Sequence, residues 1–264
     1  MTDTSAPTRP DALFDVAGKT VVVTGGSRGI GRMIAGGFVA AGADVVIASR
    51  KADAVQRTVA ELSAFGACSG LAADLSTEEG ARSFAEAVAV DHDRVHVLVN
   101  NAGATWGAPL AEHDTASWDR VLRLNVQGVF HTTKFFLPVL RAASTDEDPA
   151  RVINIGSIDG IHVPVLESYS YSSSKAAVHQ LTRHLARHLA PGITVNAVAP
   201  GPFESKMMAA TLDAFGDQIA ASAPLRRIGR PDDMAGVALF LASRAGSYLT
   251  GAVIPVDGGI ATVG

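Results

Sequence analysis

The sequence predicts a single α/β domain in which buried strands alternate with helices. Three observations predict it. Short apolar runs recur along the 264 residues, separated by segments of helical period. A glycine-rich turn joins the first run to the first helix. The composition, 47% hydrophobic against only 18% charged, is that of a well-buried globule. A chain of this length makes one large domain with a sizeable core, or at most two small ones. It carries no internal repeat and no linker, so one domain is expected over 14–264, behind a polar, disordered tail over 1–13. That tail lacks an apolar signal core and is not expected to be a targeting peptide.

Charge and cysteine content exclude several classes. A net charge of −4 gives no reason to expect nucleic acid or an anionic membrane as partner. The single cysteine, Cys68, forbids an internal disulfide and fits a reducing cytoplasm, where the protein is expected. It falls in an apparent strand, which suits a structural thiol better than a nucleophile. No stretch approaches the roughly 20 apolar residues of a membrane span.

Lys19–Thr24 is a β-branched run that reads as a buried strand. It leads into Thr24-Gly25-Gly26-Ser27-Arg28-Gly29-Ile30-Gly31, which opens a helix to about Gly42. Glycines at 25, 29 and 31 let the backbone turn sharply and approach a ligand. The free N–H groups and positive end of the helix suit a pyrophosphate. Candidate phosphate-holding residues are therefore Gly25, Ser27, Arg28, Gly29, Ile30 and Gly31. A second strand follows, Asp44–Ser49, completing the opening of a dinucleotide site. An NAD site places a carboxylate at the end of that strand to bind the ribose 2′-hydroxyl. Here the chain reads Ser49-Arg50-Lys51, with no carboxylate until Asp53, and Arg28 adds a further cation. Ser49, Arg28 and Arg50 suit a 2′-phosphate through charge-assisted hydrogen bonds, so NADP(H) is the expected cofactor.

A helix is expected over about 52–65, then a strand ending in Leu71-Ala-Ala-Asp74-Leu75. Asp74 can accept from an adenine amino group with the Leu75 amide beside it, or stand in the cap region of a helix over about 76–90. Val95–Val99 reads as the fourth strand, followed by Asn100-Asn101-Ala102-Gly103, where small residues let the chain pass close to a ribose and the Asn amides tie strands together. One long helix is expected over 117 to about 142, with Asn125 on an otherwise apolar face; a buried Asn needs partners and marks a polar site or an ordered water. Thr145–Asp148 is a surface loop. The helix after Tyr171 runs to about Ala190; its His184 and His188 are spaced to pair on a metal, but no third ligand is in register and no metal site is assigned. A sixth strand over 193–198 ends in Ala199-Pro200-Gly201-Pro202-Phe203. The segment 203–224 lacks clean periodicity and carries Met207, Met208, Leu212 and Phe215, as a mobile apolar lid would. A helix over 231–243 and a strand over 253–256 close the sheet.

The chemistry concentrates between Ser157 and Lys175. The apolar run Arg151–Gly156 delivers Ser157 to a strand's exposed carboxyl end. Tyr171 and Lys175 are four apart and share one helix face. An ammonium beside a phenol is expected to lower its pKa from about 10. Such a phenol exchanges a proton with a carbonyl or alcohol oxygen near neutral pH, and Ser157 would hold that oxygen by a hydrogen bond. Tyr169 has Ser173, not Lys, four residues on, and is set aside.

Taken together, Thr24-Gly-x-x-x-Gly-x-Gly31, Asn100-Asn-Ala-Gly103, Asn125, Ser157, Tyr171-x-x-x-Lys175 and Pro200-Gly201 resemble, in order and spacing, the short-chain dehydrogenases/reductases. The resemblance covers about residues 14–260 and is nearest to the NADPH-dependent 3-oxoacyl-thioester reductases, including the rhamnolipid-type branch. It implies a Rossmann-like doubly wound fold with a seven-stranded parallel sheet flanked by helices on both faces, and a homotetramer (or dimer). Val126, Val129, Phe130 and Phe136 on the helix at about 117–142, with Val178, Leu181 and Leu185 on that at 171–190, are expected to bury against a second subunit. It implies that Tyr171 is the acid/base, Ser157 orients the carbonyl, and Lys175 tunes the phenol and holds the nicotinamide ribose. It further implies that Asn125 positions a relay water and that Pro200, Gly201, Phe203 and Ser205 line the nicotinamide end. Ser205 stands where relatives often have Thr. Acyl-carrier-protein reductases often carry basic residues on the docking rim; here Pro191 and the acidic Asp146-Glu147-Asp148 are expected there instead, which leaves room for acyl-CoA or a free ketone. The activity implied is reduction of a ketone or acyl thioester to a secondary alcohol; a polyol or hydroxysteroid dehydrogenase, and a non-catalytic dinucleotide-binding protein, are the alternatives.

Overall fold

The computed structural model describes residues 8–205 and 208–263, with the side chains of 209–212 also outside the description. Its centre is one parallel sheet of seven strands: β1 (Thr20–Thr24), β2 (Asp44–Ser49), β3 (Cys68–Ala72), β4 (Val97–Asn100), β5 (Ala150–Ile155), β6 (Ile193–Pro200) and β7 (Val253–Val256), in the order β3-β2-β1-β4-β5-β6-β7. Every neighbouring pair is parallel, with Val21 set between Val45 and Val97, and Val152 between Leu98 and Val195. Side chains alternate across the strands. Val21 and Val23 therefore join Ile34 and Phe38 of α2 (Gly29–Ala40) and Met234 and Leu241 of α9 (Pro231–Ala242) in one core layer. Val22, Leu98 and Val152 join Phe84 of α4 (Glu78–Asp91) and Phe136 and Leu140 of α6 (Val129–Ala143) in the other. The strand order reverses between β1 and β4, and the crevice beyond their carboxyl ends is where this architecture places a ligand.

Four expectations change. Within the expected disordered tail, Pro10–Leu13 is a helical turn (α1), with Phe14 beside it stacked 6.5 Å from Phe240; residues 1–7 lie outside the described residues. The single long helix expected from 117 is in three parts: α5 (Thr115–Leu122), a π-helical segment Arg123–Gly128, and α6. The expected apolar lid holds a helix, α8 (Ala209–Ser222), with Phe215 exposed; Met207 lies outside the described residues. The acidic loop is not on the rim of the site. Asp148 pairs with Lys19, just before β1, at 2.6 Å, and with Arg151 at the start of β5 at 2.7 Å. Pro191 likewise precedes β6. All strands run parallel, so both sit at the end of the sheet opposite Ser157. Neither can repel an acyl-carrier protein at the rim of the site.

Cys68 is half-buried at the start of the edge strand β3, and burial, with Asp44 nearby, pushes its thiol up to about 11, so it is structural. No helix among the described residues is long and apolar enough to cross a membrane.

Candidate active site

Thr24, the last residue of β1, is the hub of the Gly-rich turn. Its buried hydroxyl donates to the Val99 carbonyl and accepts from the amides of Asn101 and Ala102, at 2.9 and 3.0 Å. The Asn101 side chain donates to the carbonyls of Thr24 and Gly25, at 2.9 and 3.2 Å. The Asn101 amide thus ties the end of β4 to the end of β1, as expected of it, and with Ala102 it shapes the cradle. A Cβ on Gly31 would stand 2.5 Å from the Gly25 carbonyl oxygen and closer still to Asn101 Nδ2; one on Gly25, where φ is +66°, would meet that nitrogen at 2.7 Å. Only bare backbone fits the turn. Ser27 is tied to α3 (Ala52–Leu62) through its carbonyl, which accepts from the Thr58 hydroxyl. Ser205, in the loop after β6, reaches over the turn: a Cβ at Gly29 would meet Ser205 Cβ at 3.2 Å. Ile30, on the first turn of α2, packs against the core.

Arg28, Ser49 and Arg50, the residues expected to hold a 2′-phosphate, stand at the start of α2 and the end of β2. Arg28 and Arg50 are exposed, Ser49 is half-buried at the end of β2, and neither arginine nor Lys51 has an ion-pair partner among the described residues. Asp74 is largely spent locally: one carboxylate oxygen accepts from both the amide and the hydroxyl of Ser76, which holds its pKa below the ordinary value, with Arg50 adding to the effect. Leu75 buries its side chain in the core, so what it offers a nucleotide comes from its backbone. Phe203 is corrected in the same way. Its ring is buried against Gly229, where a Cβ would collide with it, and cannot line a nicotinamide pocket. Pro200 and Gly201 close β6, with the Gly201 amide donating to the Val256 carbonyl. Gly103 lies open toward the reacting groups: a Cβ there would be 3.4 Å from Asn125 Oδ1 and 3.8 Å from Lys175 Nζ. A strand–turn–helix with no room for side chains, followed by unpaired cations at the end of β2, fits the pyrophosphate and 2′-phosphate of NADP(H).

The reacting groups come from three elements. Ser157 follows β5 and caps the short 3-10 turn Ile158–Gly160, its hydroxyl accepting from the Asp159 amide at 3.1 Å. Tyr171 and Lys175 stand on the first turns of α7 (Tyr169–Leu189). Lys175 is buried, and its Nζ donates to the Ile155 carbonyl at 2.8 Å, which leaves two N–H groups free. Asn125 lies in the π-helical segment, where the ladder changes from i→i+4 to i→i+5 bonds. Its amide oxygen accepts from the Ala104 amide at 2.8 Å, and its nitrogen donates to the Ala104 carbonyl and to Ser174 Oγ, both at 2.9 Å. Ser174 Oγ in turn donates to the Tyr171 carbonyl at 2.7 Å. The Asn125 side chain thus locks the β4 loop to α7, its oxygen and nitrogen engaged by Ala104 and Ser174.

One electrostatic expectation fails in this state. Burial pushes the Tyr171 phenol up to about 12, a hydrogen bond with Ser157 opposes the rise, and the Asp159 charge adds to it. Lys175 Nζ is 5.6 Å from the centre of the tyrosine ring and committed to Ile155. Burial lowers Lys175 itself to about 8 against the opposing pull of Asp159. Three participants were not singled out from sequence. Thr24 was read only as part of the turn, though a Thr ending a buried strand before glycine has a hydroxyl to place. Ser174 is one of a Ser172-Ser173-Ser174 run and nothing local distinguishes it. Asp159 stands two residues past Ser157 in a stretch without helical or strand period. Tyr169 points away, donating to Glu167 Oε1 at 2.8 Å and meeting His113 edge-on.

A glycine-lined cradle at the switch of a doubly wound sheet, with Ser, Tyr and Lys converging at its edge, defines a dinucleotide-dependent oxidoreductase. The chain belongs to the short-chain dehydrogenase/reductase family: the family model described as enoyl-(acyl carrier protein) reductase matches residues 25–261. It is 48% identical over 252 residues to the rhamnolipids biosynthesis 3-oxoacyl-[acyl-carrier-protein] reductase of Pseudomonas aeruginosa, covering 93% of this chain and 97% of that protein. The solved Pseudomonas aeruginosa RhlG/NADP active-site complex superposes with a TM-score of 0.92 at 47% identity, covering 95% of this chain and 99% of that one. Galactitol 2-dehydrogenase (L-tagatose-forming) of Cereibacter sphaeroides is 38% identical over 256 residues, covering 94% and 96% of the two chains.

Proposed function

We propose that this protein is an NADPH-dependent reductase that converts a ketone, a 3-oxoacyl thioester, into a secondary alcohol. The observation that carries the reading is the convergence of Ser157, Tyr171 and Lys175 beside a cradle whose neighbouring cations, Arg28 and Arg50, are unpaired among the described residues. When bound, the reduced nicotinamide supplies a hydride to the carbonyl carbon. Ser157 donates a hydrogen bond to the carbonyl oxygen, and Tyr171 gives that oxygen its proton as negative charge develops on it. Lys175, anchored by Ile155, has two N–H groups left for ribose hydroxyls and carries positive charge beside the phenol that has lost its proton. Ser205 closes the nicotinamide end. Ile161, Val163, Val165 and Leu166, exposed on the loop that follows Ser157, offer an apolar lip for an acyl chain. The relative from Pseudomonas aeruginosa supports an acyl-carrier-protein thioester, and the acidic loop expected to oppose one lies at the far end of the sheet.

The galactitol dehydrogenase relative supports the second reading, oxidation of a polyol or sugar. We further propose a cytoplasmic homotetramer or dimer built on α6 and α7, where Phe130 is exposed beside Leu181, His184 and Leu185 in a shallow apolar groove, while Val129, Phe136 and Val178, also expected to face a second subunit, are buried within the chain. Consumption of NADPH against 3-oxoacyl thioesters on acyl-carrier protein and on CoA, simple ketones and sugars tests the proposal. Turnover of the thioesters is expected; turnover confined to polyols with NADP⁺, or none at all, would overturn it.

A further inference from the structure

Two loops flank the reacting groups, and one side chain joins them. The segment 104–112 after β4 begins at Ala104, held by Asn125 on both its amide and its carbonyl, and exposes Trp106 and Leu110. The segment 161–168 runs between Ser157 and Tyr171 and exposes Ile161, Val163, Val165 and Leu166. His113 lies between the short 3-10 turn Leu110–Glu112 and α5. The next residue, Asp114, fixes it there by capping α5, its carboxylate accepting from the Ser117 amide at 2.8 Å. His113 Nε2 stands 3.0 Å from the Ala108 carbonyl oxygen and 3.3 Å from that of Glu167. Carbonyl oxygens only accept, so Nε2 carries the proton and shares it between the two loops. The Ala108 amide donates to the same Glu167 carbonyl at 3.2 Å, and a Cβ on Gly107 would lie 3.7 Å from that oxygen. The His113 ring meets Tyr169 edge-on at 5.1 Å, and its Nδ1 is buried without a partner among the described residues, so the bridge is the ring's whole polar engagement. Arg120 of α5 steadies the first loop from below, its guanidinium 4.7 Å from the centre of the Trp106 ring.

We propose that His113 is a positioning residue for substrate specificity: it clasps the two loops so that their exposed apolar side chains form one rim, along which the acyl chain of the ketone lies. This rests on the reading of the site as a reductase of 3-oxoacyl thioesters. Without the bridge, one backbone hydrogen bond, from Ala108 to Glu167, is left to cross between the loops. A single such bond does little against the conformational entropy of two loops. A long chain then meets a rim that is joined only part of the time, and its apparent affinity falls by that fraction. A short ketone reaches Ser157 and Tyr171 without using the rim, so its binding and its proton transfer do not depend on the clasp. His113 itself exchanges no proton with substrate.

The test is His113→Leu, which keeps an apolar body against Tyr169 and removes the donor. His113→Asn, too short to reach both carbonyls, stands in should Leu disturb the fold, and His113→Gln, which keeps an N–H at similar reach, is the conservative rescue. Each is assayed with NADPH against acetoacetyl-CoA and 3-oxodecanoyl-CoA. In the Leu or Asn variant KM for 3-oxodecanoyl-CoA should rise roughly tenfold, the worth of a shared hydrogen bond. Its kcat, the KM for acetoacetyl-CoA and NADPH affinity should stay near wild type, and Gln should restore the long-chain KM. A readout independent of turnover is amide hydrogen exchange. Peptides over 104–112 and 161–168 should exchange faster together in Leu or Asn and return to the wild-type rate in Gln. A KM that rises equally for both thioesters or for neither, or loops whose exchange does not change, would overturn the proposal. A wild-type protein that reduces neither thioester would sink the functional reading, while the exchange measurement would still decide whether His113 joins the loops.

Discussion

Asp148→Asn should destabilise the protein while leaving its chemistry intact. Asp148 bridges Lys19 and Arg151, and Arg151 is among the most deeply buried side chains, 1% exposed. Its Nη2 also donates to the Ser243 carbonyl, but Nε and Nη1 have no protein partner. Removing the carboxylate charge leaves a buried guanidinium uncompensated. Breaking a buried pair in this way costs about 3–5 kcal/mol. Asp148 itself is 37% exposed, and solvent screening reduces the figure to roughly 2–3 kcal/mol. For a domain of this size that lowers Tm by roughly 4–12 °C. The pH dependence has a definite sign. Burial alone would raise the Asp148 pKa, but Lys19 and Arg151 outweigh it and hold it below the ordinary 3.8. Its contribution is then complete above about pH 4 and is lost as pH falls through the depressed value. Calorimetric melts of wild type and Asp148→Asn at pH 7 and pH 3 should converge at the lower pH. The KM for ketone should not change, because the cluster lies at the opposite end of the sheet. Equal melting temperatures at pH 7, or a tenfold change in KM, would refute the reasoning.

Arg50→Asp turns an attraction for the 2′-phosphate into repulsion and should weaken NADPH binding roughly tenfold or more, most at low ionic strength, with NADH affinity little changed; fluorescence titration of both nucleotides measures it. Thr24→Val leaves the amides of Asn101 and Ala102 unpaired, so it should lower Tm by roughly 4–8 °C and weaken NADPH binding, read by melts with and without cofactor. Phe130→Glu puts a charge into the groove on α6 and α7 and should convert an oligomer to monomers in light scattering; a wild-type monomer at micromolar concentration would dispose of that interface.

What could be read from the sequence was what is local. The strands at the centre of the sheet are buried on both faces, so Val21-Val22-Val23 and Val97-Leu98-Val99 stand out as unbroken apolar runs. Tyr171 and Lys175 are joined by one helical turn, and the Gly-rich turn by eight consecutive residues, so both were legible. The π-helical segment was not, because residues 123–128 keep an apolar rhythm that a continuous helix also satisfies. Long-range partners were equally hidden. Asp148 looks like one acid in a surface run, and only the parallel sheet brings Lys19 to it across 129 positions. Phe203 follows the Pro200-Gly201 pair expected at the nicotinamide end, yet its ring turns inward to Gly229. The phenol pKa was misjudged for a related reason: spacing places Lys175 beside Tyr171, but not the Ile155 carbonyl that engages its ammonium or the burial that dominates both.

The measurement closest to the central claim compares Tyr171→Phe with Tyr169→Phe in NADPH-dependent reduction of a 3-oxoacyl thioester. Tyr171→Phe keeps the ring and its packing and removes only the transferable proton. Its kcat should fall by about 10²–10⁴-fold with NADPH affinity nearly unchanged. Tyr169→Phe loses a hydroxyl bonded to Glu167 on the outer side of the same turn and should retain near wild-type kcat. A dead Tyr169→Phe beside an active Tyr171→Phe would contradict the placement of the whole site.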